Sequence, residues 1–288
     1  IMASRGCPYT CTFCNIVSIW KQEYRIRSPD NVISEMKHLK DTYDVKDIGF
    51  WDDIFGLSKK WLREFCTKLI DADLNIVWSC LIRVDLVDRE ILHLMKKAGC
   101  WMIFYGCESL DNEILQALDK KTTAEMNLQA IRLTKEAGIE VRANMIVGCP
   151  TETPEKVKKV VKLFCKEDPD YIKFDVMTPY PSTRIYDQIK EGKWGRMVES
   201  DRERFTNSTA IFVPFGYKDA REVEKMRRYA FTRFYFRPGY LIKKVFSIRS
   251  MNDVRRYYDG FGTIKNLALE LVKLNFSRPQ TALKTAKA

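Results

Sequence analysis

Short apolar runs alternate with stretches of helical period along most of the chain, and this alternation constrains the fold more than any other feature. Asp47 to Trp51, Ile76 to Leu81, Trp101 to Gly106, Glu140 to Val147 and Tyr171 to Met177 are brief and rich in β-branched or aromatic residues, as buried strands are. Between them, Pro29 to Tyr43, Ser58 to Asp71, Asp88 to Ala98, Thr122 to Ala137 and Thr153 to Lys166 carry apolar side chains at helical spacing, as with Val32, Ile33, Met36 and Leu39. Start and stop signals agree. Ser28-Pro29 and Thr153-Pro154 set a capping residue before a proline at the first helical position. Thr122 to Glu125 reads as a capping box, and Gly99 and Gly138 stand where helix ends need positive φ. With Ile1 to Arg5 as the first strand, six β/α units follow. Parallel strands joined by right-handed crossovers curl, so the expected fold is α/β, a partial (β/α)6 TIM-like barrel with a C-terminal helical extension. In such folds function gathers at the C-terminal ends of the strands.

A chain of 288 residues accommodates one large α/β domain and an appendage. The net charge of +11 is uneven: residues 218–288 hold 17 Lys and Arg against 6 Asp and Glu, while residues 1–217 balance at 32 of each. The division expected is a core over 1–215 and a basic, mainly helical extension over 216–288. Arg221 to Arg237 reads as a helix, followed by Pro238-Gly239 and then Tyr240 to Phe246. A neutral body with a basic segment suits a small substrate in the body and contact of the segment with an anionic surface. No apolar run is long enough to span a bilayer and no basic, apolar leader is visible, so the expected location is cytoplasmic, peripheral at a membrane surface at most. Nine cysteines, an odd number, argue for a reducing compartment rather than a disulfide framework. The chain opens on Ile1, hard against its first strand, and an upstream domain is expected to be missing.

Just after that strand, Cys7, Cys11 and Cys14 form a Cys-x3-Cys-x2-Cys loop. Three thiolates so spaced can hold three corners of a [4Fe-4S] cluster, with Gly6 letting the backbone bend close. The next cysteine is Cys66, so one iron is left open. The alternatives are a zinc site with one remote ligand, or cysteines that pack as small hydrophobes. Zinc knuckles pair two Cys-x2-Cys units, and only one is present. The other six cysteines read as structural residues. The two histidines, His38 and His93, lie on amphipathic helices, which leaves His-metal sites and His-based triads without donors. No Walker-type phosphate loop occurs, and Gly260-Phe261-Gly262 is followed by Lys265 where a dinucleotide fingerprint needs glycine.

The loop and the strand ends beyond it resemble the radical S-adenosylmethionine (SAM) superfamily over most of residues 1 to about 215. The resemblance implies that Cys7, Cys11 and Cys14 bind the cluster and that SAM chelates the open iron. Phe13 matches the position that packs near the adenine. Asp52 and Asp53 stand where the family's Gly-Gly-Glu segment meets the SAM amino group, and strand alternation lets only one of them face inward. Tyr105-Gly106-Cys107-Glu108-Ser109 is similar to the family's Gly-x-Glu-Ser, which places Glu108 and Ser109 at the ribose or methionyl end. A glutamate directly after a buried run also needs a partner. Arg83 has two partners in view, a SAM carboxylate or Asp85. The run Asn144 to Glu152 resembles a strand that flanks the adenine, with Asn144 replacing a glycine and Glu152 one residue late. Pro179 and Tyr180 lie in a segment closely similar to one in the cobalamin-associated branch, which includes anaerobic porphyrin cyclases and hopanoid methylases. No side chain is singled out as catalytic.

The resemblance implies reductive cleavage of SAM at the [4Fe-4S] cluster to a 5′-deoxyadenosyl radical, then methylation or cyclisation of a small hydrophobic metabolite. It implies a flavodoxin or ferredoxin as reductant. Neither histidine fits the family's Asp-x-His-x-x-Gly cobalamin motif, so cobalamin is expected only through the missing upstream domain. Aromatics interleaved with Lys and Arg in the extension suit a membrane surface, and nucleic acid is not an expected partner. One alternative is a tRNA methylthiotransferase-like enzyme, which needs a basic C-terminal β-domain where this chain reads helical. The other, a non-catalytic iron-sulfur or zinc module, leaves Glu108, Asp53 and Pro179-Tyr180-Pro181 without a purpose.

Overall fold

The computed structural model describes residues 1–199 and 205–246. Ile1–Tyr235 form one compact unit, and a second begins at Phe236. The first half of the compact unit runs β1 (Ser4–Arg5), α1 (Ile16–Trp20), β2 (Arg25–Ile26), α2 (Pro29–Tyr43), β3 (Asp47–Phe50), α3 (Lys59–Asp71), β4 (Val77–Ile82), α4 (Arg89–Lys97) and β5 (Cys100–Glu108). It continues α5 (Asn112–Ala117), α6 (Ala124–Glu136), β6 (Glu140–Val147), α7 (Pro154–Glu167), β7 (Tyr171–Val176), α8 (Arg184–Lys190), the hairpin β8 (Gly195–Met197) and β9 (Phe212–Pro214), and α9 (Ala220–Tyr235). Strands β3 to β7 form one parallel sheet in sequence order, the α/β architecture expected.

The first strand departs from expectation. Ser4 and Arg5 pair antiparallel with β2 and add no sixth rung to the parallel sheet. Only Ile1 lies against β3, its amine donating to the Gly49 carbonyl at 2.9 Å and its carbonyl accepting from Trp51 N at 3.0 Å. Beyond it, the Ala3 and Ser4 amides donate to the Asp52 carboxylate, so a side chain takes the bonds that a strand ladder would use.

The helices start where capping chemistry places them. Ser28, Ser58, Asp88 and Thr153 each accept from a backbone amide in the first turn that follows. In α6 the cap is Thr123 rather than Thr122: Thr123 Oγ1 accepts from Met126 N at 3.3 Å, while Thr122 Oγ1 is buried without a partner. Adjacent threonines present the same chemistry, and the pattern alone does not choose between them. Gly99 and Gly138 have φ of +92° and +72° at the expected helix ends.

One face of the sheet is apolar and covered by helices. Phe50 and Trp78 on this face pack with Phe55, Trp61 and Phe65 into an aromatic cluster, in which Trp61 and Phe65 stack at 5.2 Å. Tyr105, Val141, Ala143, Ile172 and Phe174 extend it, all nearly fully buried. The free edge of β7 is covered by α9: Tyr235 OH accepts from Ile172 N and donates to Ile172 O, and Arg227 Nε donates to Phe174 O at 2.8 Å. Val223, Met226, Ala230 and Phe234 of α9 are buried, so this helix belongs to the compact unit and the expected boundary at 215 falls inside it. The helix ends at Tyr235 rather than Arg237, because the residue before Pro238 disfavours helical backbone.

In the second unit, α10 (Pro238–Phe246) sets Tyr240 between the cations of Arg237 and Lys244, each 5.5 Å from its ring, and leaves Leu241, Ile242, Val245 and Phe246 exposed. The rest of the expected extension lies outside the described residues. No described helix is long and apolar enough to cross a membrane.

Candidate active site

The cysteine loop is held from both ends and the middle. Gly6 adopts φ +84°, and a Cβ there would run into the Glu23 carbonyl, so glycine is required for the turn out of β1. Its amide donates to Asp53 at 2.8 Å. In the middle, Thr12 N donates to the Leu118 carbonyl and Thr12 O accepts from Ile185 N, both at 2.9 Å, which ties the loop to the ends of α5 and α8. Asp119, at the end of α5, accepts from Thr10 at 3.3 Å and from Arg184 at 2.6 Å.

A cavity of about 330 Å³ opens beside this loop at the C-terminal ends of the strands. Cys7, Cys11, Cys14 and Phe13 form one wall, and Glu108, Lys120, Asn144, Asp53, Arg83 and Tyr180 line the rest. Glu108 sits at a bulge between β5 and β6 with φ +59°, a strained conformation for a residue with a side chain. Its carboxylate accepts from Lys120 Nζ at 2.9 Å with both side chains nearly buried. The pair lies directly over Gly106, where a Cβ would come within 2.6 Å of Glu108 Oε1 and 3.0 Å of Lys120 Nζ. Burial works against the Lys120 ammonium, but Glu108 and Cys11 together more than offset it and the lysine pKa stands above its ordinary value.

The expected partner for Glu108 is thus Lys120, a residue that sequence reasoning missed. Lys120-Lys121 looks like any solvated lysine pair, and nothing local marks the first as the one that turns inward. Arg83 resolves to Asp85, with a bidentate pair at 2.9 and 3.0 Å; it also donates to the Lys120 carbonyl and stacks 3.6 Å from the centre of the Tyr9 ring. Of the two adjacent acids, Asp53 lines the cavity. Asp52 is buried behind it, accepting from Ser4 Oγ at 2.5 Å and from the Ala3 and Ser4 amides; burial raises its pKa, and the Ser4 hydroxyl opposes that shift. Ser109 is also outside the lining, fully buried, with its Oγ accepting from Asp111 N at 3.2 Å. Pro179 is buried away from the lining, while Tyr180 reaches it. Asn144 Oδ1, in the lining, is buried with no hydrogen-bond partner in the protein. Both histidines are exposed.

These residues fit a cluster and SAM. Burial pushes the Cys7 and Cys14 thiols up, Cys11 adds to this, and Lys120 opposes it for both. Such thiols ionise when a strongly positive partner is supplied, which iron does. The orphaned Asn144 oxygen is an acceptor waiting for a donor, worth about 1–3 kcal/mol when left unpaired.

Comparison with known proteins gives the same answer. The sequence model of the radical SAM superfamily matches residues 1–164. This chain belongs to the radical SAM superfamily. An uncharacterized methyltransferase of Pyrococcus horikoshii is 30% identical over 246 residues, covering 85% of this chain and 53% of the relative. The anaerobic magnesium-protoporphyrin IX monomethyl ester cyclase of Rubrivivax gelatinosus is 30% identical over 272 residues, 89% of this chain and 48% of that one. Among solved structures, the radical SAM methyltransferase TsrM from Kitasatospora setae, with cobalamin and a [4Fe-4S] cluster bound, superposes with a TM-score of 0.63 at 22% identity. That match covers 78% of this chain and 45% of TsrM, and it shows a shared fold. The radical SAM chain described here spans about half the length of the curated relatives it matches.

Proposed function

We propose that this chain is the catalytic core of a radical SAM enzyme that reductively cleaves SAM and then methylates or cyclises a hydrophobic metabolite. The observation that carries the reading is the cavity in which Cys7, Cys11 and Cys14 share one lining with the Glu108–Lys120 pair and the unpaired Asn144 oxygen. The bound cluster supplies the electron that opens SAM. The protein's own residues bind and orient. Lys120 offers an ammonium to the SAM carboxylate, Asp53 faces the SAM amino group, and Asn144 Oδ1 accepts from a ribose hydroxyl. Phe13 gives the adenine an apolar surface in the same lining. Asp52, Ser109 and Pro179 act at one remove in this reading, by fixing the loops that carry the lining residues.

The relatives support the substrate class. One is a methyltransferase and another closes a ring on a porphyrin ester. A cobalamin-containing fold neighbour supports delivery of cobalamin by a part of the protein outside these residues, since neither histidine here sits at the cavity. A flavodoxin or ferredoxin is the proposed reductant. The exposed apolar side chains of α10, with Lys243 and Lys244 beside them, support peripheral contact of the second unit with a membrane. Anaerobic reconstitution with iron and sulfide, reduction in the presence of SAM and chromatography for 5′-deoxyadenosine test the reading. Product is expected from the wild type and none from Cys11→Ala; a chain that holds four irons and never cleaves SAM would overturn it.

A further inference from the structure

The inner face of the sheet carries a row of side chains one step below the cavity. Leu81 pairs in register with Phe104, and Phe104 with Arg142. Gly49 and Phe50 pair with Ser79 and Cys80, so Trp51, next along, reaches the level of Leu81. Strand alternation turns these four away from the helix-covered face, where Phe50, Cys80, Ile103 and Val141 are buried. One alternation further up, Gly106 and Asn144 line the cavity, and Leu81 lines it as well, so the row continues directly from the site.

Two members of this row have unmet physical needs. Trp51 is 79% exposed at a strand end, and its indole lies beside Gly49, where a Cβ would stand only 3.2 Å from Nε1. A tryptophan so placed offers a rigid aromatic platform with nothing of the protein covering it. Arg142 is half-buried with its guanidinium 5.3 Å from the centre of the Phe104 ring. Among the described residues no carboxylate forms an ion pair with it, whereas Lys173, on the same wall, is already paired with Asp175 at 2.8 Å. A half-buried guanidinium held by a ring and lacking its carboxylate is ready for a bidentate acid.

We propose that Trp51, Leu81, Phe104 and Arg142 form the substrate shelf, and that the substrate is a flat apolar body bearing an acidic group that Arg142 receives. The body lies on the Trp51, Leu81 and Phe104 side chains, which sets a carbon of it below the SAM pocket, and the acid fixes its direction. This deepens the proposed function and rests on it for what happens after binding, not for binding itself.

The probe is 1-pyrenebutyrate against its neutral counterpart 1-pyrenebutanol, with Kd read from fluorescence titration of the full chain without SAM. The wild type is expected to bind the carboxylate at least tenfold more tightly than the alcohol. Arg142→Gln should erase that ratio, and Arg142→Lys should restore part of it. Trp51→Ala, at an exposed position with little bearing on folding, should weaken both ligands about equally. Equal binding of the two probes by the wild type, no binding of either, or a preference that survives Arg142→Gln overturns the shelf. Assay of 5′-deoxyadenosine with the wild type separates the two conclusions. SAM cleavage without a carboxylate preference leaves the enzyme reading standing and removes the shelf, and a preference without SAM cleavage does the reverse.

Discussion

The two faces of the parallel sheet obey different rules. The helix-covered face is apolar from β3 to β7, with Trp78, Ile82, Tyr105, Val141 and Phe174 each under 5% exposed, and it packs as any core does. The inner face carries polar groups: Glu108 and Asp175 are paired with Lys120 and Lys173, Asn144 opens on the cavity, and Arg142 lies against the Phe104 ring one step below it. The first face supplies apolar packing, and the second carries buried polar and charged groups. The residues of the first face are interchangeable within limits of volume, whereas those of the second are defined by their partners.

Substitutions on each face test this difference. On the core face, Trp78→Ala removes a fully buried side chain whose indole also donates to the Ala98 carbonyl at 2.7 Å. It should cost about 3–5 kcal/mol in denaturant unfolding, and a loss under 1 kcal/mol would contradict the account of the core. On the inner face, Lys120→Ala strands Glu108 in a nearly buried position and should cost about 3 kcal/mol or more. The double change Glu108→Gln with Lys120→Met, which removes both charges, should cost much less than the single one. Additive losses would mean that the two side chains are not coupled.

Glu152 offers a test by pH. It is fully buried within the β6–α7 connection, its Oε1 accepting from Gly148 N at 2.5 Å and from Tyr217 OH at 2.6 Å, and burial raises its pKa from 4.5 to about 7. Because the folded pKa lies above the unfolded one, the native state holds the extra proton between those values. Stability therefore falls as pH rises from about 4.5 toward 7, by up to about 3 kcal/mol. Glu152→Gln should flatten this slope, so that its midpoint rises relative to the wild type as pH increases; parallel curves would show that the carboxyl does not titrate there. The smallest expected effect separates neighbouring threonines: Thr123→Ala should cost about 1 kcal/mol as a lost helix cap, while Thr122→Ala, which removes a buried hydroxyl without a partner, should cost less than that or stabilise.

The core face was legible in the sequence and much of the inner face was not, for physical reasons. Buried strands and capped helices leave local signatures, so α2 spans Pro29–Tyr43 as its Ser-Pro start and apolar spacing predict. The cysteine loop was legible because its three ligands are close in the chain. The Glu108–Lys120 pair was half legible: a carboxylate after a buried strand demands a partner, but the partner comes across a short helix and a turn that local pattern does not describe. The first strand departs from its local pattern because the Ala3 and Ser4 amides bond to the Asp52 side chain, a tertiary choice that its own residues do not encode. Asp52 and Asp53 look alike in sequence, and only the path of the cysteine loop assigns one to the fold and the other to the cavity.

Everything proposed for the cavity depends on Cys7, Cys11 and Cys14 holding a [4Fe-4S] cluster with one iron open to SAM. The most direct measurement is electron paramagnetic resonance of the reconstituted, reduced protein before and after SAM is added. We expect a [4Fe-4S]⁺ signal whose g values shift on SAM binding, and loss of the signal in Cys11→Ala. A spectrum unchanged by SAM, or a signal that survives in that variant, would contradict it.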